Sequence, residues 1–453
     1  MKKLLTLTFG LALAYTGNAW AQTDSVSYNQ YGVRVDREEL ISEQRNNILT
    51  FESKNKQYRL WMDNRVQVDG ATFFGKNNKD FNTIGNGVSI RRARLAIKAR
   101  LPRNWYGEVD MDLADGKFEL KDAIIQFDGI PNVSLKAGNF KEDFSMEQTT
   151  TSRYLTFMER PMVCKALVPS RHLGLQVSYL RDHFRATGGM FFQTVAGVEE
   201  LDYVQDNNKD YGRSQGYSFT GKIGWMPYAK DRSWGLYLGA KGSYRTPKTD
   251  EAPSDYGGMR FSTRNSTSIN RKKYLDTDVI PDVDHKWLYG FEGAAYYGPA
   301  RIQSEWIGTR VNAEKAKYNF SGWYVHASCL LFGGKQRFNT AEGEFTQPSR
   351  GRKWGDIELA ARYDYLDLNN KDVYGGAGEN FTLGLNYYVN NSVKIVLNYQ
   401  YSNNDRYANG KGKLVSGHDE NGAPTNDYKK VVEAKGKGGI SYHMLALRFE
   451  INF

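Results

Sequence analysis

Between Val88 and Leu101 the chain reads Val-Ser-Ile-Arg-Arg-Ala-Arg-Leu-Ala-Ile-Lys-Ala-Arg-Leu, and one kind of chemistry recurs at every second position. In a β-strand alternate side chains share a face, so Arg92, Arg94, Lys98 and Arg100 point one way and Leu95, Ile97, Ala99 and Leu101 the other. Cations two positions apart stand roughly 7 Å from each other at ~3.4 Å of rise per residue. That is inside a Debye length of about 8 Å at physiological salt, so their fields add. An anion could step along such a row while staying partly neutralised. The chemistry is reversible binding; no bond need break. A second reading stands beside it: Glu108, Asp110 and Asp112 share a parity on the next strand and could pair with these cations across the ladder.

A strand charged on one face and greasy on the other suits a wall between lipid and water. Beyond residue 21 no run of ~18 apolar residues occurs, which excludes a helical membrane protein and leaves strands as the spanning element. Residues 1–21 read as an export signal, with Lys2 and Lys3, an apolar run from Leu4 to Tyr15, and a small-residue site before a cut expected between Ala21 and Gln22. The expected location is the outer membrane of a Gram-negative cell, in contact with its lipid. Residues 22–57 read as a short periplasmic arm with little structure. From 58 to 453 the alternation continues without a linker, so one transmembrane β-barrel is expected. Its sixteen antiparallel strands fall at 58–74, 88–101, 105–115, 118–128, 132–140, 171–181, 183–195, 215–226, 233–245, 286–298, 300–309, 319–333, 353–366, 379–390, 391–402 and 440–453.

Connection lengths support this order, because such barrels pair short periplasmic turns with long external loops. The exceptions are 334–352, a long turn on the periplasmic side, and 116–117, a short external one. The last strand places Leu445, Leu447, Phe449, Ile451 and Phe453 on one face, resembling the terminal signal that hands outer-membrane proteins to their insertion machinery. The 30 tyrosines, 23 phenylalanines and 45 glycines against 11 prolines suit a turn-rich, all-β chain, and Cys164 and Cys329 are expected to stay unpaired. A barrel of about sixteen strands encloses water. Bore-parity residues such as Lys222, Lys241, Arg301, Glu305, Glu358, Arg362 and Lys394 therefore read as a solvated wall.

The segment 141–170 does not alternate and is too long for a hairpin turn, so it is expected to fold into the bore and narrow it. Four cations in it, Lys141, Arg153, Arg160 and Lys165, face four acids, Glu142, Asp143, Glu147 and Glu159, so net charge alone gives no selectivity. Catalysis finds little support. A hydrolase needs a nucleophile, a base and an orienting group in geometry. Six histidines are present, and His326 falls on the bore parity with Ser328 two positions on, but such neighbours point the same way without forming a reactive pair. No metal-ligand spacing, phosphate-cradling glycine loop or nucleic-acid motif stands out, so no enzyme, cofactor, metal or nucleic-acid partner is expected. A competing function is surface recognition or adhesion by loops 246–285 and 403–439, whose basic residues include Arg260, Arg264, Arg271, Lys411 and Lys413.

Several stretches carry a family resemblance in order and spacing: Arg-Arg-Ala-Arg-Leu at 91–95, Asp115-Gly-Lys117, Leu120-Lys-Asp-Ala123, Ala137-Gly-Asn-Phe-Lys141 and Thr151-Ser-Arg153. Glu159-Arg160, Gly322-Trp-Tyr-Val-His-Ala-Ser328, Glu358-Leu-Ala-Ala-Arg-Tyr363 and Phe381-Thr-Leu-Gly-Leu-Asn386 continue the series. The chain resembles the phosphate-selective porin O and P family over the whole barrel. The resemblance implies a sixteen-stranded homotrimeric porin whose third external loop forms the constriction, passing small hydrophilic solutes with a preference for anions, phosphate among them. By matching position it assigns Ser152, Arg153 and Arg160 to the constriction and Arg92 to the basic ladder. Arginine suits phosphate because its planar fork can hold two oxygens at once. Thr149 stands where a second basic residue is expected, Arg94 where an aromatic is, and His172 where an acid is.

Overall fold

The computed structural model describes residues 27–35, 38–75, 83–195, 211–228, 234–247, 256–433 and 438–453. The expected export signal lies outside the described residues, as do parts of the loops 75–87, 196–214, 246–285 and 403–439 and of the turn at 227–232. Contacts divide the chain into Met1–Leu40 and Ile41–Phe453. In the first, Ser27–Tyr28 pairs with Arg34–Val35 around a turn in which the Asn29 side chain accepts from the Tyr31 and Val33 amides.

The second unit is a closed antiparallel barrel. Its first strand, β1, comprises Arg59–Met62 and Arg65–Phe74 with a break at Asp63 and Asn64. There follow β2 (Gly87–Leu101), β3 (Trp105–Asp112), β4 (Glu119–Ile130), β5 (Val133–Lys141), β6 (Arg171–Arg181), β7 (Phe184–Phe191) and β8 (Ser218–Tyr228). The ring continues with β9 (Trp234–Arg245), β10 (Val283–Tyr297), β11 (Ala300–Ala313), β12 (Lys317–Leu330), β13 (Asp356–Asn370), β14 (Val373–Tyr388), β15 (Val393–Asn404) and β16 (Ser441–Asn452). Leu447 opposite Gly70 and Phe449 opposite Val68 close β16 onto β1. These are the sixteen strands expected, with ends shifted by a few residues.

Burial alternates with the pleat and is inverted relative to a soluble protein. Along β13, Glu358, Arg362 and Asp364 are buried while Leu359 is exposed; along β16, Arg448 and Glu450 are buried while Leu445, Phe449 and Ile451 are exposed. An exterior of exposed leucine, isoleucine and aromatic side chains is the surface that a bilayer covers. Strand contacts are close where Gly138 of β5 meets β4: its φ is +126°, and a Cβ there would collide with the Ala123 carbonyl.

Three features depart from expectation. Residues 40–53 are ordered: Leu40–Arg45 and Ile48–Ser53 form a hairpin on Asn46 and Asn47, whose φ values of 52° and 69° suit the mirror-image turns that match strand twist. Ile48–Ser53 then pairs with the first segment of β1. The long β12–β13 connection carries a small hairpin, Phe338–Asn339 with Glu344–Phe345, and buries both phenylalanines against Tyr237, Tyr296 and Met146. Finally, the bore-parity charges on β8–β15 are buried and paired, where a solvated wall was expected. The reason is that residues from 142–170 and from 256–280 lie against them, forming an apolar cluster of Phe144, Met162, Val163, Leu167, Met259, Phe261 and Leu275 with Leu288, Ile307 and Leu366. Both cysteines are free.

Candidate functional site

The ladder on β2 keeps its parity, and the register explains its partners. Arg94 pairs directly opposite Asp112 and Lys98 opposite Glu108, so the acids on β3 reach them across a rung. Arg94 lies 3.2 Å from Asp112 and 3.4 Å from Asp110; Lys98 lies 3.1 Å from Asp63 and 3.2 Å from Glu108. Arg100, half-exposed, stands 3.9 Å from Asp128. Arg92 is buried and donates to the Gln67 amide oxygen at 2.6 Å. The row and the cross-strand pairs therefore coexist.

Two irregularities add cations that parity alone would place outside. Gln67 faces Arg92 but Val68 faces Ile90, leaving Arg91 as the extra residue of a bulge. Arg91 turns to Glu159 and donates Nε–H at 2.5 Å. Likewise Asp110 faces Asp122 but Met111 faces Leu120, so Lys121 is the extra residue on β4. No periodic reading of the sequence shows either one, because a bulge is visible only in the pairing.

The segment 142–170 is held by its backbone. Helix α1 (Met146–Thr149) opens on Ser145, which caps the Gln148 amide and donates to Glu305 at 3.0 Å. The amides of Met146 and Glu147 donate to Glu292 and Glu305 at 3.0 and 2.8 Å. Helix α2 (Met162–Ala166) begins with the Met162 amide on Asp364 at 3.0 Å. Between the helices, the carbonyls of Arg153, Thr156, Met158 and Glu159 accept from Lys394, Asn386, Arg448 and Arg362 at 2.7–2.9 Å. Four wall strands thus supply the donors that this irregular stretch needs. Burial would raise the Glu159 carboxyl, but Arg91 and Lys165 hold it well below the usual range. Burial in turn pulls the Lys165 ammonium down to about 8 against Glu159.

The residues expected at the constriction take different places. Arg160 donates to the carbonyls of Glu147, Gln148 and Thr150 at 2.6–3.2 Å. Arg153 bonds Asp63, and Ser152 accepts from Arg65. His326 stacks on Tyr324, and Ser328 donates to Glu358 at 2.6 Å, so the two do not form a nucleophile-base pair.

Two cavities lie along β1–β6. A cavity of about 370 Å³ at the long-loop end is lined by nine basic and three acidic side chains, among them Arg91, Arg92, Lys121, Arg160 and Arg271. A deeper cavity of about 200 Å³ has seven basic and six acidic ones, including Lys98, Glu108, Asp122 and Arg185. The two share Arg94, Lys141 and Arg171. A third cavity, of about 740 Å³, lies at the β12–β13 connection and is lined by Arg153, Arg337, Arg350, Arg352 and Lys353 and by no acid. Lys141 and Arg171 face each other where β5 and β6 leave and re-enter the ring, and Arg171 grips Asp122 at 2.9 and 2.6 Å. Sequence reasoning passed over Arg171 because it lies across the insertion from Lys141.

Comparison with known proteins follows the same line. The family model described as phosphate-selective porin O and P matches residues 62–423. Porin O of Pseudomonas aeruginosa is 24% identical over 440 residues, covering 89% of this chain and 94% of that one. An uncharacterized protein of Caulobacter vibrioides is 25% identical over 342 residues; the match covers 74% of this chain and 66% of that relative, just under two thirds of its length. Among solved structures, in-vitro folded OmpT of Vibrio cholerae aligns with a TM-score of 0.51 at 11% identity, covering 88% of this chain and 98% of that one. That likeness concerns the fold.

Proposed function

This chain belongs to the phosphate-selective porin O and P family, and on that premise we propose that it conducts small anions passively along β1–β6 under the control of the 141–170 segment. The family and fold are those of outer-membrane channel porins, with a preference for anions. Selectivity in such a pore comes from its width and the charges that line it, and no energy is consumed.

One observation carries the route: two cavities stacked along the ladder share Arg94, Lys141 and Arg171 and nothing acidic. An anion gathers in the outer cavity, where basic side chains outnumber acidic ones threefold. It crosses the three shared cations, enters a chamber of nearly balanced charge, and leaves past the acid-free cavity. The balanced chamber matters because a site that held the anion too tightly would not release it. The 141–170 segment serves as the constriction loop; what supports this is the set of wall donors that hold its carbonyls. Arg92, Lys98 and Arg100 belong to the path, while Ser152, Arg153 and Arg160 shape its edge. The protein acts as a homotrimer after removal of residues 1–21, both by analogy with the family. Phosphate is among the anions it carries.

Replacing Arg94 and Arg171 together by alanine is expected to shift the reversal potential of the pure protein in a planar bilayer under a salt gradient toward cation permeation. An unchanged potential would remove the assignment. Surface recognition finds less support, since Leu275, Ala408 and Leu414 of the long loops are spent in internal apolar clusters.

A further inference from the structure

Directly beneath the shared cations stands a group of opposite sign. Carboxylate oxygens of Glu108, Asp110 and Asp122 all lie within 4.8 Å of one another. Arg94 is shared between Asp110 and Asp112 and Lys98 between Glu108 and Asp63, while Arg171 holds Asp122 through two nitrogens. Asp110 is only 7% exposed, and its Oδ1 has no hydrogen-bond partner. Above it, Lys141 gives its ammonium hydrogens to the backbone carbonyls of Thr149 and Thr150 at 2.8 and 3.2 Å, so no carboxylate neutralises it through those bonds. The chamber thus presents a cationic ring and, one or two rungs further, an anionic one, within about 200 Å³.

A simple anion is attracted at the first ring and repelled at the second. A solute that carries an ammonium beside its phosphate or carboxylate meets attraction at both. We propose that the chamber is a subsite for zwitterionic solutes: the anionic group rests on Arg94, Lys141 and Arg171 while the ammonium reaches Glu108, Asp110 and Asp122. The proposal rests on the anion path described above and specifies which solutes it favours. Two charges a few ångströms apart on one small molecule span the two rings without displacing Arg171 from Asp122.

The test compares O-phosphoethanolamine with ethyl phosphate, which has a similar shape and no ammonium, as entry into liposomes containing the full-length protein. O-phosphoethanolamine enters about threefold faster, the size expected of a partly solvated ion pair. Asp110→Asn abolishes the difference, mainly by speeding ethyl phosphate, and Asp110→Glu keeps it. Equal or slower entry of O-phosphoethanolamine, or a difference that survives Asp110→Asn, overturns the zwitterion subsite and leaves the anion path standing. If neither solute enters, the anion path falls and the subsite with it.

Discussion

Lys241 and Arg94 are both bore-facing cations on barrel strands, yet their surroundings differ. Lys241 has a side chain with no exposed surface and bonds Glu292 at 2.8 Å and Glu305 closer still. Arg94 keeps 12% of its side chain exposed and stands more than 3 Å from either acid. The contrast extends to whole regions. Behind the 142–170 segment, Lys222, Lys241, Glu292 and Glu305 form a dry network that also receives the amides of α1. On β2, Lys98 and Arg100 remain wet, at 20% and 51% side-chain exposure, although Arg92 beside them is buried. A buried pair is costly to break because the remaining charge has no water to turn to. A wet pair is weak, so it can exchange its partner for a passing ion.

The sharpest way to test the contrast is to cut one pair on each side. Glu292→Ala leaves a buried excess of positive charge, with Lys222 on Asp143 alone and Lys241 on Glu305 alone, and should lower stability by about 3–5 kcal/mol, read as the urea midpoint of tryptophan fluorescence in detergent. An unshifted midpoint would mean that water reaches the network. Arg160→Lys keeps the charge but loses the fork that holds three carbonyls, with a loss of about 1–3 kcal/mol expected and noisier single-channel current. If the current stays quiet and only ion preference changes, Arg160 acts on the solute instead of the loop. Lys98→Ala should cost under ~1 kcal/mol while reducing anion conductance about twofold; equal losses of stability at Lys98 and Glu292 would erase the distinction between wet and dry sides.

The smallest effect concerns pH. Burial and the neighbouring Glu342 push Glu344, in the β12–β13 connection, up to about 7, against the pull of Lys141. Below that pH Glu344 is neutral; above it, a negative charge joins the field around Lys141. Anion conductance is therefore expected to rise modestly as pH falls from 8 to 6, and Glu344→Gln should flatten the profile. A rise that persists in Glu344→Gln would place the titrating group elsewhere.

Much of the wall was legible before any coordinates. Strands β1–β16 follow a period of two, and the basic row at Arg92, Arg94, Lys98 and Arg100 keeps the face that its spacing assigns. The Asn46-Asn47 hairpin was missed, because the polarity of 22–57 reads as an arm with little structure. The candidate site was legible only in part. Arg91 and Lys121 enter through bulges, and Arg171 and Lys141 meet because the 29 residues between them, 142–170, leave the ring and return to adjacent strands.

Alternation by itself determined that this chain makes a barrel with a greasy outside and a charged bore, because side-chain direction in a strand follows from local backbone geometry. Which bore charges are dry braces and which face open water was decided only in three dimensions. That depends on what lies opposite each charge across the bore, and contacts between segments a hundred or more residues apart, such as Met162 on Asp364 or Ser145 on Glu305, leave no periodic trace.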